Sequence, residues 1–425
     1  MSRTLVVTIT FLGTFGVLQA CTVRAEDPAL EHARMLLARH PVIDGHNDLP
    51  WTIREKTGAP GDVAAYDLRR RTEGDTDLER LRAGGVGGQF WSVYVPASLE
   101  TGAARYQLEQ IDLARRMIAR YPERLALATT AADVERIMKQ GRLASLLGIE
   151  GGHVIEDSLG ALRAYHTLGV RYMTLTHSAT LNWVDSSSEE RRHGGLTRFG
   201  EEVVREMNRL GMLVDLSHVS PDTMEDALRV SEVPIIFSHS SARALCDHPR
   251  NVPDPILRRL PENGGVVMIT FVAAFISPEY AAASQPLWKE FEERTQGVLD
   301  PVERDRVWGE LKARLPPIRV TLGEAADHVE HVRQVAGIDH VGLGGDYDGN
   351  DSWPEGLEDV STYPNLFAEL VRCGWSDADL AKLASGNILR VMKQAEAAAA
   401  RLQQERPAST ATIEALDGDP SHPRP

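Results

Sequence analysis

The chain has 425 residues, 42% of them hydrophobic and 25% charged, with a formal net charge of −15. That composition is globular, and the acidic balance argues against nucleic acid as a partner, because phosphate binding needs a basic face. Only 3 cysteines are present, which excludes a disulfide scaffold and a cysteine-rich zinc site, so any metal must sit on histidines and carboxylates.

At the start, Arg3 precedes an apolar run from Leu5 to Leu18 and then small residues. Residues 1–25 read as a secretory signal whose apolar core is too short for a stable membrane anchor. Two cleavage points compete. Leu18-Gln19-Ala20-Cys21 has the form of a lipobox and would leave Cys21 lipidated, whereas Val23-Arg24-Ala25 is an ordinary small-x-small site. Either one predicts export, to the periplasm or the cell exterior, with a lipid anchor through Cys21 in the first case. No later segment is long and apolar enough to span a membrane as a helix.

The body, residues 26–395, alternates short β-branched runs with amphipathic stretches. Eight runs read as strands: Val42–Asp48, Gly85–Val95, Leu143–Glu150, Val170–His177, Leu213–His218, Pro234–His239, Gly265–Phe271 and His340–Asp346. Most are almost continuously apolar, as strands buried on both faces of a parallel sheet are. Eight such units predict an α/β fold closed as a (β/α)8 TIM-like barrel. An open doubly wound sheet would bring a glycine-rich phosphate turn after the first strand, and Asp44-Gly45-His46-Asn47-Asp48 is not one. Residues 278–317 break the rhythm and read as an insertion near the barrel mouth. Residues 396–425, alanine-rich and then polar with repeated proline, read as a disordered tail.

Position carries the chemistry. His46 and Asp48 end the first predicted strand, Glu150 the third, His177 the fourth, His218 the fifth, His239 the sixth and Asp346 the eighth. Active sites of this fold gather where the strands end. A single histidine there is more often a hydrogen-bonded part of the structure than a ligand. Together, so many ionisable groups are costly to bury without a metal or a partner. Histidine and carboxylate suit zinc, and five ligand candidates suggest two ions sharing a carboxylate. Asp348 competes with Asp346 for one role. His153 reads as support for the ligands, and His328 with His331 as a solvated helix face.

Six segments in order, Asp44–Asp48, Gly148–His153, Tyr172–His177, Asp215–Ser220, Phe237–Ser240 and Gly344–Gly349, resemble the membrane (renal-type) dipeptidase family, its bacterial members above all. The resemblance runs from about Pro41 to Lys393. It implies a metal-dependent hydrolase with two Zn2+ ions per subunit that cleaves dipeptides, including some with a C-terminal D-residue, by a metal-bridging hydroxide. By the same resemblance His46 and Asp48 hold one zinc, His218 and His239 the other, and Glu150 bridges them. Asp346 handles the proton and sits near the substrate's amino group, His177 stabilises the developing oxyanion, and Arg250 binds the terminal carboxylate. The family also implies a homodimer. Ala179 stands where mammalian members carry a disulfide cysteine, and Phe275 where a tyrosine is expected near the substrate carboxylate. Two other readings compete: an amidohydrolase acting on N-acyl amino acids or cyclic amides, and an inactive metal-binding barrel serving as a binding protein.

Overall fold

The computed structural model describes residues 27–99, 101–298 and 301–418. The signal expected over residues 1–25, Cys21 included, lies outside them.

Among the described residues nine strands form one parallel sheet: β1 Val42–Asn47, β2 Val86–Ser92, β3 Leu125–Leu127, β4 Leu143–Glu150, β5 Val170–Thr174, β6 Leu213–Asp215, β7 Ile236–Phe237, β8 Val266–Ile269 and β9 Val341–Leu343. Their order is β2-β1-β9-β8-β7-β6-β5-β4-β3, and β2 also pairs with β4, from Gly88↔Ala144 to Ser92↔Gly148. Eight strands therefore close a barrel in chain order. The ninth, β3, was not expected. It pairs with residues 143–145 of β4, below the stretch from Leu147 to Glu150 where β5 takes over.

Between the strands, helices form where the sequence supplies both a cap and an apolar face. In Arg198–Leu210 the Thr197 side chain accepts from Gly200 N, and Gly211 ends the helix at φ 75°. The buried face holds Phe199, Val203, Val204 and Met207. A threonine cap of this kind contributes about 1 kcal/mol, and a left-handed terminus suits glycine.

Inside the barrel, glycines make room for the side chains beneath the mouth. A Cβ at Gly148 would stand 2.0 Å from the Tyr172 ring, and one at Gly344 would stand 1.8 Å from Ser238 O. Both distances are impossible, so Tyr172 and the β7 turn hold their places because these positions lack side chains.

Residues 278–317 contain two helices, Pro278–Thr295 and Pro301–Lys312, around a small core of Leu287, Phe291, Val307 and Leu311. They lie beyond β8 in the chain and are tied to the loop after β9 by Trp308 Nε1 donating to Asp351 (2.8 Å) and Tyr280 OH donating to Ser352 (2.7 Å).

The expected disordered tail is a correction. A helix runs unbroken over Asn387–Glu405, burying Val391, Met392, Ala395, Ala399 and Leu402. A second helix, Ile413–Asp417, buries Ile413. Asp417 accepts from Arg198 N (3.1 Å) and Phe199 N (2.9 Å), capping the helix Arg198–Leu210. The alanine run that looked like low complexity is a strong helix former, and Ile413 anchors the short helix beyond it. Residues 419–425 lie outside the described part. Among the described residues no helix is long and apolar enough to cross a membrane. Cys246 and Cys373 are both free.

Candidate metal centre

All seven residues at the predicted strand ends meet at the barrel mouth. Of the six chain positions that end those strands, only Glu150 lies within its strand as built. Asp48 is one residue past β1 and His239 two past β7, whereas His177, His218 and Asp346 stand three past β5, β6 and β9. The strands were read too long because the apolar runs continue into turns that are buried rather than paired.

Between Asp44 and Asn47 the register of β1 against β2 shifts. Such an irregularity re-aims side chains, and here His46 and Asp48 both face the mouth, His46 Nε2 lying 3.2 Å from Asp48 Oδ2. His46 Nε2 is also 3.6 Å from Glu150 Oε2 and 3.9 Å from Asp346 Oδ1. The other oxygen of Glu150, Oε1, stands 3.0 Å from His218 Nε2, 3.4 Å from His239 Nε2 and 3.9 Å from His177 Nε2. His218 Nε2 and His239 Nε2 are 2.9 Å apart. The donor atoms fall into three overlapping groups: His46, Glu150 and His239; Glu150, His177 and His218; and His46, Asp48 and Asp346.

Hydrogen bonds behind the cluster fix which nitrogen faces inward. The Tyr172 hydroxyl donates to Gly45 O (3.2 Å), so at His46 Nδ1 (2.9 Å) it must accept. Ser238 Oγ gives its one proton to Asp215 Oδ2 (2.6 Å), so at His239 Nδ1 (2.8 Å) it too accepts. Both rings therefore carry a proton on Nδ1 and turn Nε2 toward Glu150. Converging imidazole nitrogens, two buried carboxylates and an unpartnered Asp48 Oδ1 form a donor set that fits a cation of the zinc type. Two of the site residues adopt left-handed backbone, His218 at φ 69° and Asp346 at φ 66°, which costs about 1–2 kcal/mol each. His218 is pinned there by Ser187 N and Thr176 Oγ1 donating to its carbonyl (2.8 and 3.1 Å).

Electrostatics follow from crowding. Burial pushes the Glu150 carboxyl up, but His46, His177 and the bonds from His218 and His239 outweigh it and hold its pKa well below the ordinary range. Burial lowers His46, and Tyr172, Asp48 and Glu150 together reverse that to a pKa well above normal. Burial, with Arg250 and His177 adding to it, keeps His218 well below its usual value. His239 is held down the same way by burial and His46. Asp346 is pushed well up by burial, with Asp48 and Glu150 repelling its charge. Burial lowers His177 as well, so its ring is neutral.

Arg250 is 5% exposed, and burial brings its pKa down to about 10, still charged at neutral pH. Its guanidinium donates to His239 O (3.1 Å) and Ser240 Oγ (3.4 Å), while Nε has no partner. Among the described residues it forms no ion pair. Phe275 lies 5.3 Å from it, ring to guanidinium.

Other expectations change. Asp348 does not share the Asp346 role: its Oδ1 turns away to accept from Asp75 N (3.0 Å). The His153 ring makes no bond to Glu150, and burial lowers its pKa to about 4. His328 is not solvated. It is 1% exposed, accepting from Ala242 N (3.0 Å) and meeting Ile276 O (3.0 Å). Sequence reasoning missed Tyr172, Asp215 and Ser238, whose hydroxyls and carboxylate orient the rings of His46 and His239. It also missed Tyr94, which stacks edge-on to His177 and Trp51, each at 5.0 Å. The signal for the first three was their position: Tyr172 on β5, Asp215 ending β6 and Ser238 one residue past β7 are polar groups one to five residues before a strand-end histidine.

A closed (β/α)8 barrel with histidines and carboxylates converging at the C-terminal ends of its strands defines a metal-dependent hydrolase of the metallopeptidase kind. Residues 30–406 match the family model described as membrane dipeptidase (peptidase family M19). The chain belongs to that family. It is 43% identical to dipeptidase 3 of Mus musculus over 377 residues, 87% of this chain and 68% of that protein. Against dipeptidase 3 of Homo sapiens it is 42% identical over 370 residues, 86% of this chain and 67% of the other. Among solved structures it is similar to dipeptidase AC, a metallo peptidase of family M19, at TM-score 0.69 and 26% identity, covering 84% of this chain and 98% of that one. A metallo peptidase from Rhodobacter sphaeroides, liganded with a phosphinate mimic of the dipeptide L-Ala-D-Ala, shares the fold at TM-score 0.69 and 24% identity, covering 84% and 99%.

Proposed function

We propose that this chain is a zinc dipeptidase holding two zinc ions, and that it cleaves dipeptides, including those with a C-terminal D-residue. The observation that carries the reading is Arg250: a buried guanidinium without a carboxylate partner, beside the metal ligands. Leaving such a charge unpaired is costly, and a planar guanidinium binds a carboxylate through two parallel bonds. A substrate with a free C-terminus supplies one.

In this reading His46 and Asp48 hold one ion, His218 and His239 the other, and Glu150 turns one oxygen toward each half. When bound, the ions would activate water and polarise the scissile carbonyl. The remaining work belongs to side chains. Asp346, at the mouth 3.9 Å from His46 Nε2, takes a proton from the attacking water as a carboxylate and delivers it to the leaving amine. It also meets the substrate's amino group, so that Asp346 and Arg250 together measure a two-residue length. Neutral His177, with a side chain 23% exposed and open to the mouth, donates a hydrogen bond to the oxygen that becomes negative.

The test is hydrolysis of L,L- and L,D-dipeptides by the purified chain, as isolated, after chelation and after zinc is restored, with a tripeptide and N-acetyl amino acids alongside. Zinc-restored cleavage of dipeptides alone is the expected result. Cleavage of the N-acetyl compounds instead would move the function to deacylation, and inactivity on all of them with metal bound would favour a binding role.

A further inference from the structure

Between β1 and β2 the chain makes an excursion, residues 55–77, that joins the helices Leu49–Arg54 and Leu78–Ala83. Near its end, Asp75 faces the turn beyond β9. Asp75 N donates to Asp348 Oδ1 at 3.0 Å, and Asp348 N donates to Asp75 Oδ2, also at 3.0 Å. Each carboxylate accepts the other's amide, which makes a reciprocal clasp between segments 273 residues apart in sequence.

The clasped turn contains Asp346. Asp346 and Asp348 both have left-handed backbone, φ 66° and 61°, with the ring of Tyr347 fully buried between them. Two such residues in one turn hold only if their surroundings fix them. On the β1 side Asp346 N donates to His46 O (3.2 Å) and Asp48 N to Tyr347 O (2.9 Å). Beyond Tyr347, the turn is held by the clasp and by Thr52 Oγ1 donating to Asp348 O (3.4 Å). There is no slack: a Cβ on Gly349 would come within 2.3 Å of Asp48 Oδ2 and 2.5 Å of Asp346 Oδ1. Asp75 is braced in turn. Its carbonyl accepts from Val360 N (3.3 Å), its neighbour Thr76 accepts from Asn47 Nδ2 (2.8 Å), and Arg80 ties Gly74 O (2.6 Å) to Asp77 (2.6 Å).

We propose that Asp75 is a positioning residue for the hydrolytic reaction: clasped to Asp348, it fixes the left-handed turn that aims Asp346 into the mouth. The inference rests on the hydrolytic reading of the site. The bonds of Asp75 run to Asp348 and Val360 and to none of the mouth histidines and carboxylates, so it acts through the turn. What the turn needs from residue 75 is an acceptor oxygen at this side-chain length, because Asp348 N–H has Asp75 Oδ2 as its partner.

The experiment compares Asp75→Ala, Asp75→Glu and Asp75→Asn in the zinc-loaded full chain. Asp75→Ala should lower kcat about 10- to 100-fold, the usual effect of losing a group that orients an active residue, with KM, bound zinc and melting temperature nearly unchanged. Asp75→Glu, which keeps the charge and lengthens the side chain, should fall between, and Asp75→Asn, which keeps an acceptor for Asp348 N–H, should recover most of kcat. Wild-type kcat in Asp75→Ala, or activity lost in step with zinc and stability, would overturn the proposal. Crystal structures of Asp75→Ala and Asp75→Glu read the turn without any assay. A displaced Asp346 supports the proposal and an unmoved one refutes it, whereas an inactive wild-type chain would refute the hydrolytic reading alone.

Discussion

His46 and His239 face each other across the mouth with ring centroids 3.8 Å apart, yet different chemistry stands behind them. His46 rests on a phenol, Tyr172, whose own proton goes to a backbone carbonyl. His239 rests on Ser238, and Ser238 rests on Asp215, a buried carboxylate that also accepts from Thr174 Oγ1 (2.5 Å), Ser217 N (3.1 Å) and Ser238 N (2.8 Å). In the proposed metal assignment the negative charge of the β1 half is in the ligand set, as Asp48. On the other half the ligands are neutral histidines and the charge sits behind them. Each half thus has one carboxylate of its own, besides Glu150, which faces both. A hydrogen bond leading to a carboxylate makes an imidazole a better donor to a metal, so the carboxylate behind His239 would act through Ser238 where Asp48 would act directly.

The comparison can be broken outright at the residue both halves share. Glu150→Gln should abolish hydrolysis and lower bound zinc in both halves, read by elemental analysis of the dialysed protein. A variant outside both halves sharpens the contrast: His177→Ala should lower kcat by about 10²–10³-fold with bound zinc unchanged. Zinc loss in that variant would make His177 a ligand. Next come the supports themselves. Ser238→Ala should weaken zinc binding by about 10- to 100-fold in one half only, leaving one tight and one weak site in a chelator competition. Tyr172→Phe should do the same to the other half by a smaller factor, because Asp48 remains there to hold the ion. Equal effects on both sites in either variant would dissolve the distinction between the halves.

The smallest expected effect concerns pH. Burial raises Asp75 to a pKa of about 6, and burial with Asp75 alongside raises Asp348 to about 7. Unfolded aspartates lose their protons near pH 3.9. Between that pH and about 7 the folded chain holds protons that the unfolded chain has released, so stability falls as pH rises through this window. Melting temperature measured from pH 4 to 7 should decline, and Asp348→Asn should flatten the decline. An unchanged slope in the variant would show that other groups cause it.

Much of the site was legible because the barrel puts chemistry at regular places. His46, Glu150, His218 and His239 each come at the end of an apolar run, and the periodicity alone brings them to one face. The supports were not legible: an inward tyrosine such as Tyr172 reads as core until its hydroxyl is seen 2.9 Å from His46. The space it fills is created by Gly148 on a different strand, a pairing that exists only once the barrel closes. His328 shows the reverse failure. Its place away from any strand end made its helix face look solvated, while Ala242 N and Ile276 O supply partners from distant loops. β3 is three residues long and gave no periodic signal. The tail was misjudged because alanine-rich sequence fits helix and disorder equally, and the deciding contacts, Ile413 and Asp417, depend on the helix Arg198–Leu210 being there to receive them.

In the proposed function Glu150 joins two metal half-sites into one hydrolytic centre. Calorimetric titration of zinc into the chelated chain, with dipeptide hydrolysis measured at each addition, tests it most directly. Two zinc ions per chain are expected, with activity that rises with occupancy of both and neither tight site in Glu150→Gln. A single zinc per chain with full activity, or two tight sites that survive Glu150→Gln, would contradict it.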